Sequence, residues 1–366
     1  MDYYHSLLRN AKTRFITFDV SISLLEELYL SQDRKCVFTG EPIDFEVGNA
    51  FLDRIDSRQG YVKGNLQWIH KDVNRMKNNL SQSEFLNRCI SIHQYRHMPK
   101  PFYGIPMYSL NHHKNFKGCG YIGKKTFTEI KRRAKDRNLD FSISIDDLNV
   151  LFLEQGGKCA LTGKDLFFTS RRGIGNASLD LKNNALGYVK GNIQWIDKNV
   201  SLIKSTLSTE RLLDICRKIT KRYTPVVAVS GYFQILHKGH IDYITEARKL
   251  GGYLVVIVNS DKQAAMKSTP VVVNEKSREY IVRNIRGVDE TIIAIDEDGT
   301  VSKTLEIVRP SIFCNGGDRK PTSAPSKEQE TCQRLGIKMI YNVGGEKSDS
   351  SSSILQRAHD ILSKEK

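Results

Sequence analysis

Two histidines separated by a lysine and a glycine, His237-Lys238-Gly239-His240, are the residues of this sequence best placed for chemistry. They follow an apolar run, Pro225–Val229, that ends in Ser230-Gly231, and they precede Ile241–Leu250, which has helical periodicity. A strand-to-helix turn presents backbone N–H groups and the positive end of the helix dipole, and both favour a phosphate. Each imidazole can donate a hydrogen bond to phosphate oxygens. Gly239 lets the backbone approach closely. A single histidine is most often a satisfied surface or core residue; a pair at such a turn points to phosphate handling.

The surrounding elements must hold that turn in place. A second apolar run, Tyr253–Val258, ends in Asn259-Ser260-Asp261. Strand, helix, strand with fully apolar strands predicts a βαβ unit and a parallel sheet, hence an α/β fold. Further strands are expected at Glu290–Ile295, Ile312–Cys314 and Lys338–Asn342.

The stretch Gly231 to His240 resembles the signature of the cytidylyltransferase-like nucleotidyltransferases, and the resemblance extends over nearly all of residues 225–360. Lys267 matches a phosphate-binding lysine, and Arg278 matches the Glu/Arg helix start. Gly316-Gly317-Asp318-Arg319 and the run Ser350-Ser351-Ser352 complete the pattern. Within that family the stretch looks like ADP-heptose synthase and glycerol-3-phosphate cytidylyltransferase, with Asp296-Glu297-Asp298 and Gly-Gly-Asp favouring the heptose type. Gln234 stands where the family usually has Asp, and Lys347 is the one basic residue near the serine run, where the glycerol-phosphate enzymes have an arginine.

The resemblance implies a Rossmann-like domain over residues 225–366. It implies transfer of CMP or AMP from CTP or ATP to a phosphorylated sugar or polyol, with release of pyrophosphate. His237, His240 and Lys267 would be catalytic, the histidines steadying the transition-state oxygens and the lysine neutralising the triphosphate. Gly231, Phe233, Gly239, Asp261, Arg278, Asp318, Ser350, Ser351 and Ser352 would bind the nucleotide, with Mg²⁺ bridging its phosphates. The same domain is where a homodimer would form.

The first two-thirds of the chain hold an internal repeat. Lys35-Cys36-Val37-Phe38-Thr39-Gly40 returns as Lys158-Cys159-Ala160-Leu161-Thr162-Gly163. Gly60-Tyr61-Val62-Lys63-Gly64-Asn65-Leu66-Gln67-Trp68-Ile69 returns as Gly187-Tyr188-Val189-Lys190-Gly191-Asn192-Ile193-Gln194-Trp195-Ile196. The reading is two repeats, 1–98 and 124–222, joined by a linker, 99–123, and differing in a loop near Thr169 to Ile174. Each predicts a basic helix, a second helix, a short hairpin, and a helix near Ile69–Lys77 or Ile196–Lys204.

Repeat one resembles the HNH endonuclease family, so each repeat is expected to be a small α+β ββα-metal module. Carried across, Asp53 and Asn74 would be metal ligands and Asn65 would brace the loop. Arg54 stands where the general-base histidine belongs. In repeat two, Leu181 follows Asp180, and Ser201 replaces the helix ligand. The expectation is therefore a pair of catalytically degenerate, DNA-binding domains. Phosphate contacts would come from Arg54, Lys63, Lys71, Arg75 and Lys77, and from Lys131, Arg132 and Arg133. The alternative is an HNH-type endonuclease or DNA-binding protein of phage or mobile-element origin.

Charge agrees with that division. The net charge is +15. Residues 1–224 carry 36 Lys and Arg against 23 Asp and Glu, while residues 225–366 carry 20 against 18. The duplex-DNA candidate is thus the first part. No apolar run is long enough to span a membrane. The seven cysteines form no Cys-x-x-Cys, which argues for a reducing compartment, and Cys36 and Cys159 read as buried hydrophobes. The expected location is the cytoplasm, a host's if the gene is a phage's.

Overall fold

A computed structural model describes residues 2–98, 117–168, 175–267, 271–317, 319–345 and 351–364. They form two compact units, Met1–Arg222 and Tyr223–Lys366.

The first unit repeats one module. In the first copy, α1 (Asp2–Thr13), β1 (Phe18–Asp19) and α2 (Ile22–Ser31) lead to the strands β2 (Ala50–Arg54), β3 (Tyr61–Val62) and β4 (Leu66–His70), then to α3 (Lys71–Lys77) and α4 (Gln82–Tyr95). In the second copy, β5 (Gly118–Cys119) and β6 (Ile122–Gly123) precede α5 (Lys124–Asp136), α6 (Ile145–Glu154), β7 (Ala177–Leu181), β8 (Ile193–Asp197), α7 (Lys198–Lys204) and α8 (Thr209–Tyr223). Ile69 and Ile196, expected at the start of helices, lie instead within β4 and β8. The amphipathic helices α4 and α8 were not anticipated.

The contacts recur with the sequence. β2 and β4 pair antiparallel with Asp53 opposite Gln67, and β7 and β8 pair with Asp180 opposite Gln194. Trp68 Nε1 donates to Leu25 O and Trp195 Nε1 to Leu148 O, both at 3.0 Å. Asn65 and Asn192 each tie their loop together through backbone groups, donating to Gly60 O at 2.9 Å and Gly187 O at 2.8 Å. Cys36 and Cys159 are fully buried.

Equivalent residues of the two copies also meet each other. Cys89 on α4 and its counterpart Cys216 on α8 are both buried, and each thiol lies in the other's surroundings. Tyr95 packs so closely on Gly163 that a Cβ there would lie 2.2 Å from its ring, and Arg222 approaches Gly40 in the reciprocal place. Reciprocal contacts of this kind define an approximate twofold axis.

In the second unit the elements are β9 (Val226–Gly231), α9 (Lys238–Arg248), β10 (Tyr253–Val258), α10 (Asp261–Met266), α11 (Glu275–Arg283), β11 (Glu290–Ile293), α12 (Ser302–Val308), β12 (Ile312–Gly316), α13 (Ser326–Leu335), β13 (Lys338–Val343) and α14 (Ser351–Lys364). The five strands pair in parallel in the order β11-β10-β9-β12-β13. Every residue of β10 is buried. Alternate side chains enter opposite cores: Val227 and Val229 pack with Tyr243, Ile244 and Ala247 of α9, whereas Ala228 and Phe313 pack with Leu305 of α12. That double burial is why the strands read as unbroken apolar runs. The order reverses direction between β9 and β12. In open parallel sheets the ligand crevice lies beyond the carboxyl ends of the strands at such a switch point.

Candidate active site

The turn from β9 to α9 lies at this switch point. Gly231 closes the strand, and a Cβ there would come within 2.9 Å of the Phe233 ring. Phe233 is buried and takes a left-handed backbone, φ +51°, which re-aims the chain toward the helix. Its ring packs 5.0 Å from that of His240. His237 is the N-cap residue of α9, and its carbonyl accepts from His240 N at 3.0 Å. The two imidazoles are 4.0 Å apart between centroids. One helical turn thus brings both histidines to the N-terminus of an 11-residue helix, together with Gly239 in its first turn.

Lys267 ends α10 and is exposed, with its ammonium 4.9 Å from the centre of the Tyr232 ring. The Tyr232 hydroxyl donates to Gln263 O at 3.4 Å, and burial raises its pKa. Ser351 donates to Ile235 O at 3.3 Å, which joins the start of α14 to the histidine loop. Asp318 and Ser350 lie outside the described residues, as does the side chain of Ser352.

Arg278 does not point at a ligand. Its side chain is fully buried, and its guanidinium donates to Val273 O, Tyr232 O and Asn259 O and pairs with Asp261. The other Asp261 oxygen accepts from Glu275 N at 3.1 Å. The direct nucleotide contact expected of Arg278 is therefore corrected, since its side chain is fully buried, whereas Asp261 stays one-third exposed. Their charges are spent inside the protein, joining the ends of β9 and β10 to α11. Gln234, the departure from the family pattern, is also structural: its Oε1 accepts from Val272 N and Val273 N, each at 3.1 Å.

The structure adds residues that sequence patterns did not single out. Asn315, at the end of β12, is 2% exposed, and its Nδ2 has no hydrogen-bond partner among the described residues. Its Oδ1 accepts from Arg319 at 3.3 Å. Glu328 is equally buried, and burial pushes its carboxyl up while the nearby Arg319 opposes the shift. A buried asparagine closing a strand beside a switch point carries a signal only once the strand order is known.

In the first unit, Asp53 and Asn74 do line one hollow, with Arg54. The donor set does not fit a metal. Asp53 Oδ1 takes the Lys77 ammonium at 3.0 Å and Oδ2 takes Gln67 Nε2 at 2.8 Å. A divalent ion there would face a fixed positive charge at contact distance. Lys77 is 1% exposed, so its expected role as a DNA phosphate contact is corrected as well. Lys204 and Asp180 repeat the pair at 3.0 Å. Burial raises both aspartate carboxyls, and the lysine and glutamine partners oppose it. Lys63, Arg75, Lys131, Arg132 and Arg133 are exposed and Lys71 is partly so, while Arg132 and Arg133 share Glu129.

A five-stranded parallel sheet with a histidine pair at its switch point defines the second unit as a nucleotidyltransferase. The chain belongs to the cytidylyltransferase-like family, whose model matches residues 228–357. It is 36% identical over 142 residues to the FAD synthase of Picrophilus torridus, covering 38% of this chain and 99% of that one. With the FAD synthase of Aciduliprofundum boonei it shares 38% over 114 residues, 31% of this chain and 73% of the relative. With the bifunctional protein HldE of Syntrophotalea carbinolica it shares 30% over 153 residues, 41% of this chain but only 30% of that longer relative. The family match lies wholly within the second unit. Among the described residues no helix is long and apolar enough to cross a membrane.

Proposed function

We propose that residues 223–366 transfer AMP from ATP to a phosphorylated small molecule, with CTP and CMP as the competing nucleotide pair. The observation that carries this reading is the closely packed pair His237 and His240 at the N-terminus of α9. Two relatives named FAD synthase favour adenylate as the group transferred. An acceptor phosphate oxygen attacks the α-phosphorus, and the bond to the bridging oxygen breaks, releasing pyrophosphate. The histidines hold the oxygens on which charge builds. Lys267 and Ser351 serve the triphosphate, and Asn315 Nδ2 donates to the nucleotide. Asp318, Ser350 and Ser352 complete that set on sequence grounds. Both Asp261 oxygens accept within the protein, so Mg²⁺ would enter on the triphosphate and would neutralise phosphate charge there. Following pyrophosphate release with each nucleoside triphosphate against flavin mononucleotide, sugar phosphates and polyol phosphates tests the assignment. Absence of pyrophosphate release from both ATP and CTP with every acceptor in that panel would defeat it.

A second reading concerns residues 1–222, which we assign to duplex-DNA binding without cleavage, on two degenerate HNH-like repeats. The charge partition supports it, with nearly all of the excess positive charge before residue 225. Full-length protein should bind a duplex at low salt, and residues 223–366 alone should not. Equal binding by both would remove the reading.

A further inference from the structure

Between the β2–β4 hairpin and α3 lies a hollow of about 220 Å³, walled by Arg14, Arg54, Ser57, Tyr61, Asn74 and Asn79 among others. Its wall holds one carboxylate, Asp53, and Lys77 neutralises that charge from a buried position. Two guanidinium groups remain. That of Arg54 is held in place: it lies 5.3 Å over the Tyr61 ring, and one of its nitrogens donates to Gln59 O at 2.7 Å. A polar recess with a net positive wall and amide donors is built for an anion.

The internal repeat separates what builds the module from what this hollow adds. Asp53, Asn65, Gln67 and Lys77 return as Asp180, Asn192, Gln194 and Lys204 with the same contacts. Arg54, Asn74 and Asn79 return as Leu181, Ser201 and Thr206. Residues the fold needs recur in both copies. Arg14 returns as Arg137, but the guanidinium of Arg54 and the amides of Asn74 and Asn79 belong to the first copy alone, so folding does not account for them.

We infer that the hollow of the first repeat binds a phosphodiester of a nucleic-acid backbone without a metal ion. The fixed Lys77–Asp53 pair stands where a cation would otherwise be held. Arg14 and Arg54 meet the phosphate oxygens, and Lys77 is a positioning residue that never touches the ligand. This rests on the DNA-binding reading of residues 1–222, and the test separates the two.

Full-length protein is titrated into a fluorescent duplex of about 20 base pairs at about 50 mM salt, with EDTA or with Mg²⁺. The affinity should be the same in both within about twofold. The double variant Arg14→Ala/Arg54→Leu, which gives position 54 its repeat-two residue, should bind at least about tenfold more weakly. Its slope of log K against log salt should fall by about two. Arg54→Lys, which keeps the charge and controls for misfolding, should retain most of the binding. A wild-type duplex affinity that the double variant leaves unchanged overturns the hollow but spares the DNA reading. A requirement for Mg²⁺ overturns the metal-free site. Absence of duplex binding overturns both readings. Inorganic phosphate that stabilises wild type and not the double variant, with no duplex bound, identifies a free anion instead.

Discussion

The Lys204 ammonium lies 3.0 Å from the Asp180 carboxylate, with the lysine wholly shielded from water. The same ammonium donates to Leu181 O at 2.7 Å. A buried pair of this kind resists the loss of one partner far more than the loss of both. Lys204→Met should therefore destabilise the first unit by about 3–5 kcal/mol, because a carboxylate is left buried without its partner. Adding Asp180→Leu should recover most of that loss. Denaturant unfolding followed by tryptophan fluorescence reads it directly, since Trp68 and Trp195 are the two tryptophans of the chain and both lie in this unit. A double variant no better than Lys204→Met alone would show that the pair is not the source of the loss.

Turnover should depend on the histidine pair. His237→Ala or His240→Ala is expected to lower it by about two to four orders of magnitude, the scale for losing a preorganised transition-state contact. Circular dichroism should be unchanged. Wild-type pyrophosphate release in either variant would remove the central assignment.

Arg278 should behave as a structural residue. Arg278→Met leaves three carbonyls and Asp261 without their donor, and it should cost about 3–5 kcal/mol of stability, seen in far-ultraviolet unfolding curves. A variant as stable as wild type but weak in nucleotide binding would restore the direct contact that the sequence pattern implied.

Acid should loosen the contact between the repeats. Glu41 is half-buried, which alone would raise its pKa, yet hydrogen bonds from Arg211 and Lys218 outweigh burial and lower it to about 2. A carboxyl lowered on folding stabilises the native state above its unfolded pKa near 4.5 and loses that contribution as pH falls toward about 2. Glu41→Gln should cost about 1–2 kcal/mol at neutral pH, after allowance for solvent screening. The gap between variant and wild type should close between pH 4.5 and about 2 in tryptophan-monitored unfolding. A gap that persists at the acid end would assign the cost to packing.

Much of the architecture was legible without coordinates. The apolar runs of β9 and β10 announce strands buried on both faces, because both faces of the sheet are covered by helices. The duplication shows in ordered blocks such as the one that ends in Ile69 and Ile196. The histidine pair is legible because one turn of helix brings His237 and His240 together whatever the rest of the chain does. Local spacing alone sets that contact.

Other properties belonged to the tertiary structure. Lys77 and Arg278 read as cations that meet a ligand, since the sequence records their charge and not what packs over them. Lys77 meets a carboxylate 24 residues away, and Arg278 meets a carbonyl 46 residues away. Whether a cation faces a ligand or is consumed by the protein depends on such distant partners. A one-dimensional pattern carries no term for them. The strand order that makes Asn315 a neighbour of the histidine turn is set in the same way, by which edges pair once the sheet has formed.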